Sequence, residues 1–251
     1  MKETPAQNAI LEARGVEKHF GGTTVLHGVD LTVRRGEFLS IMGPSGCGKS
    51  TLLYAVSGMD RPDAGTVSLD GEALADLNAA ELANLRLTRM GFVFQQVHLL
   101  KNLTLLDNVV LPGYLAKLAP RAVLNERAGT LMARTGVREL GDRDISQASG
   151  GQLQRVAICR ALINDPAIVF GDEPTGALDS TAAQEIMGIL EELNADGMTM
   201  LLVTHDPQVA SHGDRVVYMI DGRIAAELEL DREEHLGERQ AAVDTWLATL
   251  R

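Results

Sequence analysis

The nine residues GPSGCGKST, Gly43 to Thr51, lie between the apolar run FLSIM and the helical run LLYAV. The spacing is G-x-x-x-x-G-K-[ST] in a strand, loop, helix context, which is the setting a phosphate-binding loop requires. Gly43, Gly46 and Gly48 let the backbone, with Pro44, Ser45 and Cys47 between them, turn its N–H groups inward around phosphate oxygens. The helix N-terminus adds partial positive charge. Lys49 reaches the β and γ phosphates, Ser50 offers a hydroxyl to Mg²⁺, and Thr51 continues the helix.

A second group of residues sits where apolar strands end. Ile168, Val169 and Phe170 deliver Asp172 and Glu173. Asp172 can hold Mg²⁺ directly or through water, and Glu173 can polarise the water that attacks the γ phosphate in line. Gln95 follows GFVF at a strand's C-terminal end, where α/β proteins bind ligands. It either reaches the metal or the water, or caps a loop, and position alone does not choose. His205, in VTHDP, either hydrogen-bonds a phosphate or is structural. Phe20, in KHFGG, either stacks on a purine or belongs to the core.

Ser149, Gly150, Gly151 and Gln152 open another helical run, QLQRVAICRALI. A serine N-cap explains the first of them. It does not explain two glycines, each costing about 1 kcal/mol inside a helix, and these predict close approach by some other group.

These sites need strands and helices to hold them. VLHGVDLTV, EFLSIM and GTVSLDG read as strands of a small β-rich layer, and residues 73–89 carry leucines at near-helical spacing before the strand GFVF. Residues 103–137 read as helical, with breaks at Pro112-Gly113 and Pro120. The last third alternates AIVFGDE as strand, 180–193 as helix, MTMLLVTH as strand, and DRVVYMIDG with RIAAELEL as a hairpin. Apolar strands separated by helices predict a parallel sheet covered on both faces. Leu236, Val243, Leu247 and Leu250 predict a closing amphipathic helix.

The bulk composition agrees. The 251 residues are 45% hydrophobic and only 4% aromatic, with Trp246 the sole tryptophan, which suits an α/β core of aliphatic side chains. A net charge of −11 argues against nucleic acid as a partner. Cys47 and Cys159 form no motif pair, so a reducing compartment is expected. MKETPAQNAI lacks a leader's apolar run and no segment is apolar for eighteen residues, so the expectation is a soluble chain that would serve a membrane only through a partner.

Taken in order, these segments resemble the ATP-binding subunit of ABC transporters over about residues 10–228. The matching motifs are Walker A (Gly43 to Ser50), the Q-loop (Gln95), the signature (Ser149 to Gln152), Walker B (Ile168 to Asp172), Glu173, the D-loop (Ala177 to Asp179) and the H-loop (His205). The resemblance implies a P-loop NTPase core of mostly parallel sheet flanked by helices, with an N-terminal antiparallel β layer and an inserted α-helical subdomain. Residues 10–94 and 165–228 would be the core, 95–164 the helical insert, and 229–251 a tail.

It also implies ATP and Mg²⁺ as ligands, with Ser50, Gln95 and Asp172 at the metal, and Glu173, His205, Gln95 and Lys49 in catalysis. The nucleotide would be cradled by Gly43, Pro44, Ser45, Gly46, Cys47, Gly48, Lys49, Ser50 and Thr51. Two copies would bind head to tail, so that Ser149 to Gln152 and Asp179 of one copy meet the ATP held by the other. Phe20 takes the place of the adenine-stacking aromatic, usually tyrosine, and Ala148 stands where leucine is common. Gln95 and Val97 to Leu100 match the region that touches a membrane subunit.

Within the family the chain looks like the branch of macrolide exporters, lipoprotein-release ATPases and antimicrobial-peptide exporters. That branch implies a separate FtsX-like permease and a place on the inner face of the cell membrane. A non-transport ABC ATPase acting on DNA or ribosomes is the alternative, disfavoured by a single nucleotide domain and the acidic balance. A GTPase is disfavoured because no N/T-K-x-D guanine-reading motif is present.

Overall fold

The computed structural model describes residues 8–250, so part of the N-terminal stretch read for leader character lies outside the described residues. In chain order the elements are β1 (Ala9–Phe20), β2 (Thr23–Arg34), β3 (Phe38–Met42), α1 (Lys49–Val56), β4 (Ala64–Leu69), β5 (Glu72–Ala73) and α2 (Ala79–Arg89). There follow β6 (Met90–Phe94), α3 (Leu105–Ala116), α4 (Arg121–Arg134), α5 (Gly150–Leu162), β7 (Ile168–Asp172) and α6 (Ser180–Ala195). The chain closes with β8 (Met200–Val203), α7 (Pro207–Ala210), β9 (Arg215–Ile220), β10 (Arg223–Glu229) and α8 (Leu236–Thr249). They group into two compact units: one runs to Leu82 and resumes at Leu193, the other is Ala83–Glu192.

The first unit contains an antiparallel sheet in the order β2-β1-β4-β5 and a run of strands β10-β9-β3-β8. β3 is parallel to both β8 and β9, while β10 returns antiparallel beside β9. Every residue of β3 and β8 is buried, as expected of parallel strands covered on both faces. The long strand β1 is not evident from sequence. Gly15 at φ 58° and the register shifts between Ala13 and Val16 and between Lys18 and His19 interrupt the alternation that would reveal it.

Two segment expectations require correction here. Leu74 does not begin a helix: Leu74–Asp76 is a single 3₁₀ turn, and α2 starts after Asn78, whose Oδ1 accepts from the N–H groups of Ala80 and Glu81. Asn78 is a strong N-cap, so the leucine spacing upstream belongs to another turn. The strand expected over MTMLLVTH is only Met200–Val203, which leaves His205 in the loop beyond it.

A buried ion pair braces this unit. Arg215 Nε donates to Glu37 Oε1 at 2.8 Å, and the two side chains are 8% and 5% exposed. Burial works against the guanidinium's charge, but hydrogen bonds and charge from Glu37 and Glu227 outweigh it and hold the Arg215 pKa above its ordinary value. Glu37→Ala leaves this cation without its buried partner and is expected to lower stability by about 3–5 kcal/mol. Urea denaturation monitored by circular dichroism measures that loss.

α8 closes the unit by packing Val243, Trp246 and Leu247 against Met42, Ala210, Val216 and Tyr218. Trp246 meets Tyr218 edge to face with ring centroids 6.2 Å apart. The closing helix read from the sequence is thus present, and of the four residues expected on its apolar face Val243 and Leu247 join this cluster, with Ala242 and Trp246 completing it, while Leu250 is the C-cap beyond the helix.

In the second unit β6 and β7 pair in parallel, and α3, α4 and α5 share a core of Leu105, Val109, Leu124, Ala128, Met132 and Val156, with others. The break expected at Pro112-Gly113 does not occur, because α3 runs straight through both residues. Burial of Leu105, Val109 and Val110 on its core face offsets the hydrogen bond that proline removes. Pro120 does divide the segment, as the N-cap of α4.

Candidate nucleotide site

The phosphate loop leaves the C-terminal end of β3 and enters α1. Gly43 has φ 150°, and a Cβ there would lie 2.3 Å from the carbonyl oxygen of Met219 and 2.8 Å from Cys47 Sγ. Gly48 has φ 103°, and its Cβ would lie 3.1 Å from the carbonyl of Val25. Both are positions that only glycine fills without strain. Gly46 differs from these two. A Cβ on Gly46 would meet nothing within 4 Å, so close packing is not the reason for glycine there, and its φ of 79° is. Pro44, Ser45 and Gly46 form the exposed crest of the loop. Gly48 is also the N-cap of α1, which carries no side-chain cap hydrogen bond. The first N–H groups of this helix therefore keep their capacity for an anion.

Lys49 is buried, and its Nζ donates to the carbonyls of Gly43 and Pro44, both at 2.9 Å. The ammonium is held within its own loop. Cys47 is buried too, and burial raises its thiol pKa, so the protonated form dominates at neutral pH and no redox role follows. The Cys47 carbonyl accepts from Gly222 N–H at 2.9 Å, which ties the loop to the β9–β10 turn.

Two sequence-marked residues belong to the same unit as this loop. β3 and β8 are in register at Ile41 and Val203, and Thr204 N–H donates to the Ile41 carbonyl. Gly43 and His205 each follow that pair by two residues, just beyond the ends of these neighbouring strands. His205 is exposed, and the following Asp206 caps α7 by accepting from Gln208 N–H. Phe20 ends β1 at the hairpin turn into β2, the strand whose Val25 presses on Gly48. It is 51% exposed, with Lys18 Nζ 5.3 Å from its ring centroid. A core role for Phe20 is excluded by that exposure.

In the second unit Gln95, Asp172 and Glu173 come together. Gln95 N–H donates to the Asp172 carbonyl at 2.9 Å, and the Gln95 side chain covers Gly176, whose Cβ would lie 2.9 Å from Nε2. Glu173 is half-buried and holds φ 49°. A non-glycine residue in the left-handed region costs about 1–3 kcal/mol and persists where its surroundings impose it. The backbone here closes the turn Glu173–Gly176, in which Gly176 N–H donates to the Glu173 carbonyl. Sequence reading identified the residue but not this conformation, for which nothing in the residue types gives a signal.

The signature stretch forms a capping box at the start of α5. Ser149 Oγ accepts from Gln152 N–H at 3.3 Å, and Gln152 Oε1 accepts from Ser149 N–H at 2.9 Å. One of the two glycines has an internal cause: a Cβ on Gly151 would come within 3.1 Å of Ala182 Cβ, while one on Gly150 would meet Leu178 at an ordinary 3.5 Å. Gly150 remains exposed. Asp179 caps α6 by accepting from Ala182 N–H at 2.9 Å.

The described residues contain no cluster of three or more His, Cys, Asp or Glu side chains suited to a metal ion. Hydroxyl and carboxylate oxygens are nonetheless the donors from which Mg²⁺ takes one or two ligands when phosphates supply the rest; Ser50 stands at the start of α1 in the first unit and Asp172 at the end of β7 in the second. Among the same residues no helix is long and apolar enough to cross a membrane.

Residues 26–176 match the family model described as ABC transporter. The chain belongs to this family, and it has the family's P-loop NTPase fold. It is 46% identical over 231 residues to the macrolide export ATP-binding/permease protein MacB 1/2 of Paracoccus denitrificans, covering 90% of this chain and 34% of that protein. It is 41% identical over 225 residues to the bacitracin export ATP-binding protein BceA of Halalkalibacterium halodurans, covering 88% of each. A solved dimeric ATP-binding cassette in a post-hydrolysis state, bound to ADP and Pi, superposes with a TM-score of 0.81 at 40% identity, covering 88% of this chain and 99% of that one. The chain therefore spans about a third of the length of the MacB relative and most of the length of the other two.

Proposed function

We propose that the chain binds ATP with Mg²⁺ and hydrolyses it as the engine of an exporter. The observation that carries the reading is the phosphate loop: two positions that only glycine fills without strain, an uncapped helix N-terminus and a buried lysine ammonium at one place. The names of the relatives, which speak of macrolide and bacitracin export, support transport over action on nucleic acid.

Each residue has a role in this reading. Loop N–H groups from Gly46 to Thr51 receive the β phosphate, Lys49 exchanges its two carbonyls for phosphate oxygens, and Phe20 offers its exposed face to adenine. Ser50, Gln95 and Asp172 would hold Mg²⁺, which when bound screens charge between the β and γ phosphates. Glu173 takes the proton of the attacking water, and His205 and Gln95 orient the γ phosphate and that water. A second copy presents Ser149, Gly150, Gly151, Gln152 and Asp179 to the same nucleotide. The partner in the membrane is a separate FtsX-like permease, contacted through Gln95 and Val97 to Leu100, which places the chain on the cytoplasmic face. The cargo class is an antimicrobial compound, a peptide or a lipoprotein.

Titration of the full chain with ATP and Mg²⁺, followed by phosphate release, tests this. Binding with slow turnover that rises when the permease is co-expressed is expected, and absence of ATP binding overturns it. Gly43→Ala adds a methyl group against the Met219 carbonyl, with roughly 1–3 kcal/mol of strain. A loss of ATP affinity of about tenfold or more is expected by calorimetry, with the fold retained.

A further inference from the structure

Three of the six large apolar side chains exposed among the described residues fall close together in sequence: Leu115, Leu118 and Val123, at 61%, 64% and 50% exposure. They share one corner of the second unit. Leu115 is in the last turn of α3, Val123 in the first turn of α4, and Leu118 in the connection. The corner is held firmly. A Cβ on Gly113 would lie 2.8 Å from Leu124 Cδ2, the Tyr114 hydroxyl is hydrogen-bonded to Asn125, and the Arg121 guanidinium stands 4.9 Å from the Tyr114 ring centroid.

The charge around this corner runs against the rest of the chain. From Asn108 to Asn125 there is no Asp or Glu, but there are Lys117 and Arg121, in a protein of net charge −11. The next acid, Glu126, begins the part of α4 where Arg127 pairs with Asp165 at 3.2 Å. Lys117 also occupies the left-handed helix C-cap, φ 55°, where glycine is the ordinary residue. Exposed apolar side chains grouped in this way mark a contact surface.

We propose that the α3–α4 corner seats on the headgroup layer of an anionic bilayer. Leu115, Leu118 and Val123 enter the acyl boundary, while Lys117 and Arg121 meet lipid phosphates and Tyr114 lies at the interface between them. Aliphatic side chains that protrude, flanked by cations and an aromatic ring, match what interfacial segments present to lipid. A fluid surface accommodates protruding side chains without a complementary pocket. This contact goes beyond the ATPase reading and is measured without nucleotide, so either can fail alone.

Flotation of the full chain with vesicles of phosphatidylcholine, with and without phosphatidylglycerol, tests it. Binding to the anionic vesicles that weakens with salt is expected. Replacing the three aliphatics together (Leu115→Gln, Leu118→Gln, Val123→Gln) is expected to cut that binding by more than tenfold, and Lys117→Gln or Arg121→Gln by roughly fivefold each. ATP affinity and thermal stability are the controls and should stay at parental values. No binding of the parent chain to anionic vesicles, or undiminished binding by the triple variant, overturns the proposal. If the triple variant keeps vesicle binding but loses co-purification with a co-expressed permease, the corner belongs to a protein contact and the lipid assignment is wrong.

Discussion

Glu173→Gln is expected to bind ATP as tightly as the parent chain and to turn it over about 10²- to 10⁴-fold more slowly, the range for removing a positioned general base. The amide has nearly the same shape, so the turn from Glu173 to Gly176 and the contact of Gln95 over Gly176 should survive. What disappears is the group proposed to accept the water's proton. ATP then persists, and the variant should elute as a dimer in ATP and as the smaller species in ADP. Lys49→Ala separates the two functions from the other side, since an ammonium that contacts phosphate contributes to affinity before chemistry begins. Single-turnover phosphate release and size-exclusion chromatography give the readouts, and parental turnover by Glu173→Gln would move the base elsewhere.

Ser149→Arg should leave ATP binding by the isolated chain nearly unchanged while abolishing ATP-dependent dimerisation and the turnover that depends on it. Two effects act at this position and must be told apart. Ser149 caps α5 through its hydrogen bond with Gln152, so any residue without a capping oxygen costs about 1 kcal/mol, or roughly 2–4 °C in melting temperature for a chain of this size. Ser149→Ala carries that cost without adding bulk or charge. If the alanine variant loses dimerisation as completely as the arginine variant, the cap alone explains the result and the trans assignment fails. If only arginine blocks closure, the helix start is a docking site for the other copy's nucleotide.

The phosphate loop was legible because its chemistry demands both residue types and spacing, and glycines at left-handed positions announce themselves in sequence. What the spacing did not separate is why each glycine is there: Gly43 is closed off by the Met219 carbonyl and Cys47, Gly48 combines a φ of 103° with a tight neighbour, and Gly46 answers to its φ alone. The strands β3, β7 and β8 were legible because parallel strands buried on both faces read as continuous apolar runs. β1 was hidden by its own irregularities around Gly15, and the continuity of α3 by a proline that local propensity treats as a breaker while core packing tolerates it. The site residues fared in the same way. Phe20 was ambiguous as a type, and its exposure removes only the core reading, while the paired glycines at 150 and 151 divided between an internal contact with Ala182 and an exposed position. Whether Gln95 lies near Asp172 depends on the pairing of β6 with β7, which no local pattern encodes.

The packing of α8 has an optical consequence. Trp246, the sole tryptophan, touches Tyr218, which pairs with Met42 across β3 and β9; the next residue, Met219, supplies the carbonyl that occupies the space beside Gly43. The indole is therefore two contacts removed from the phosphate loop. Its emission is expected to shift when ATP is titrated into the unmodified chain, giving a dye-free signal of the loop's state.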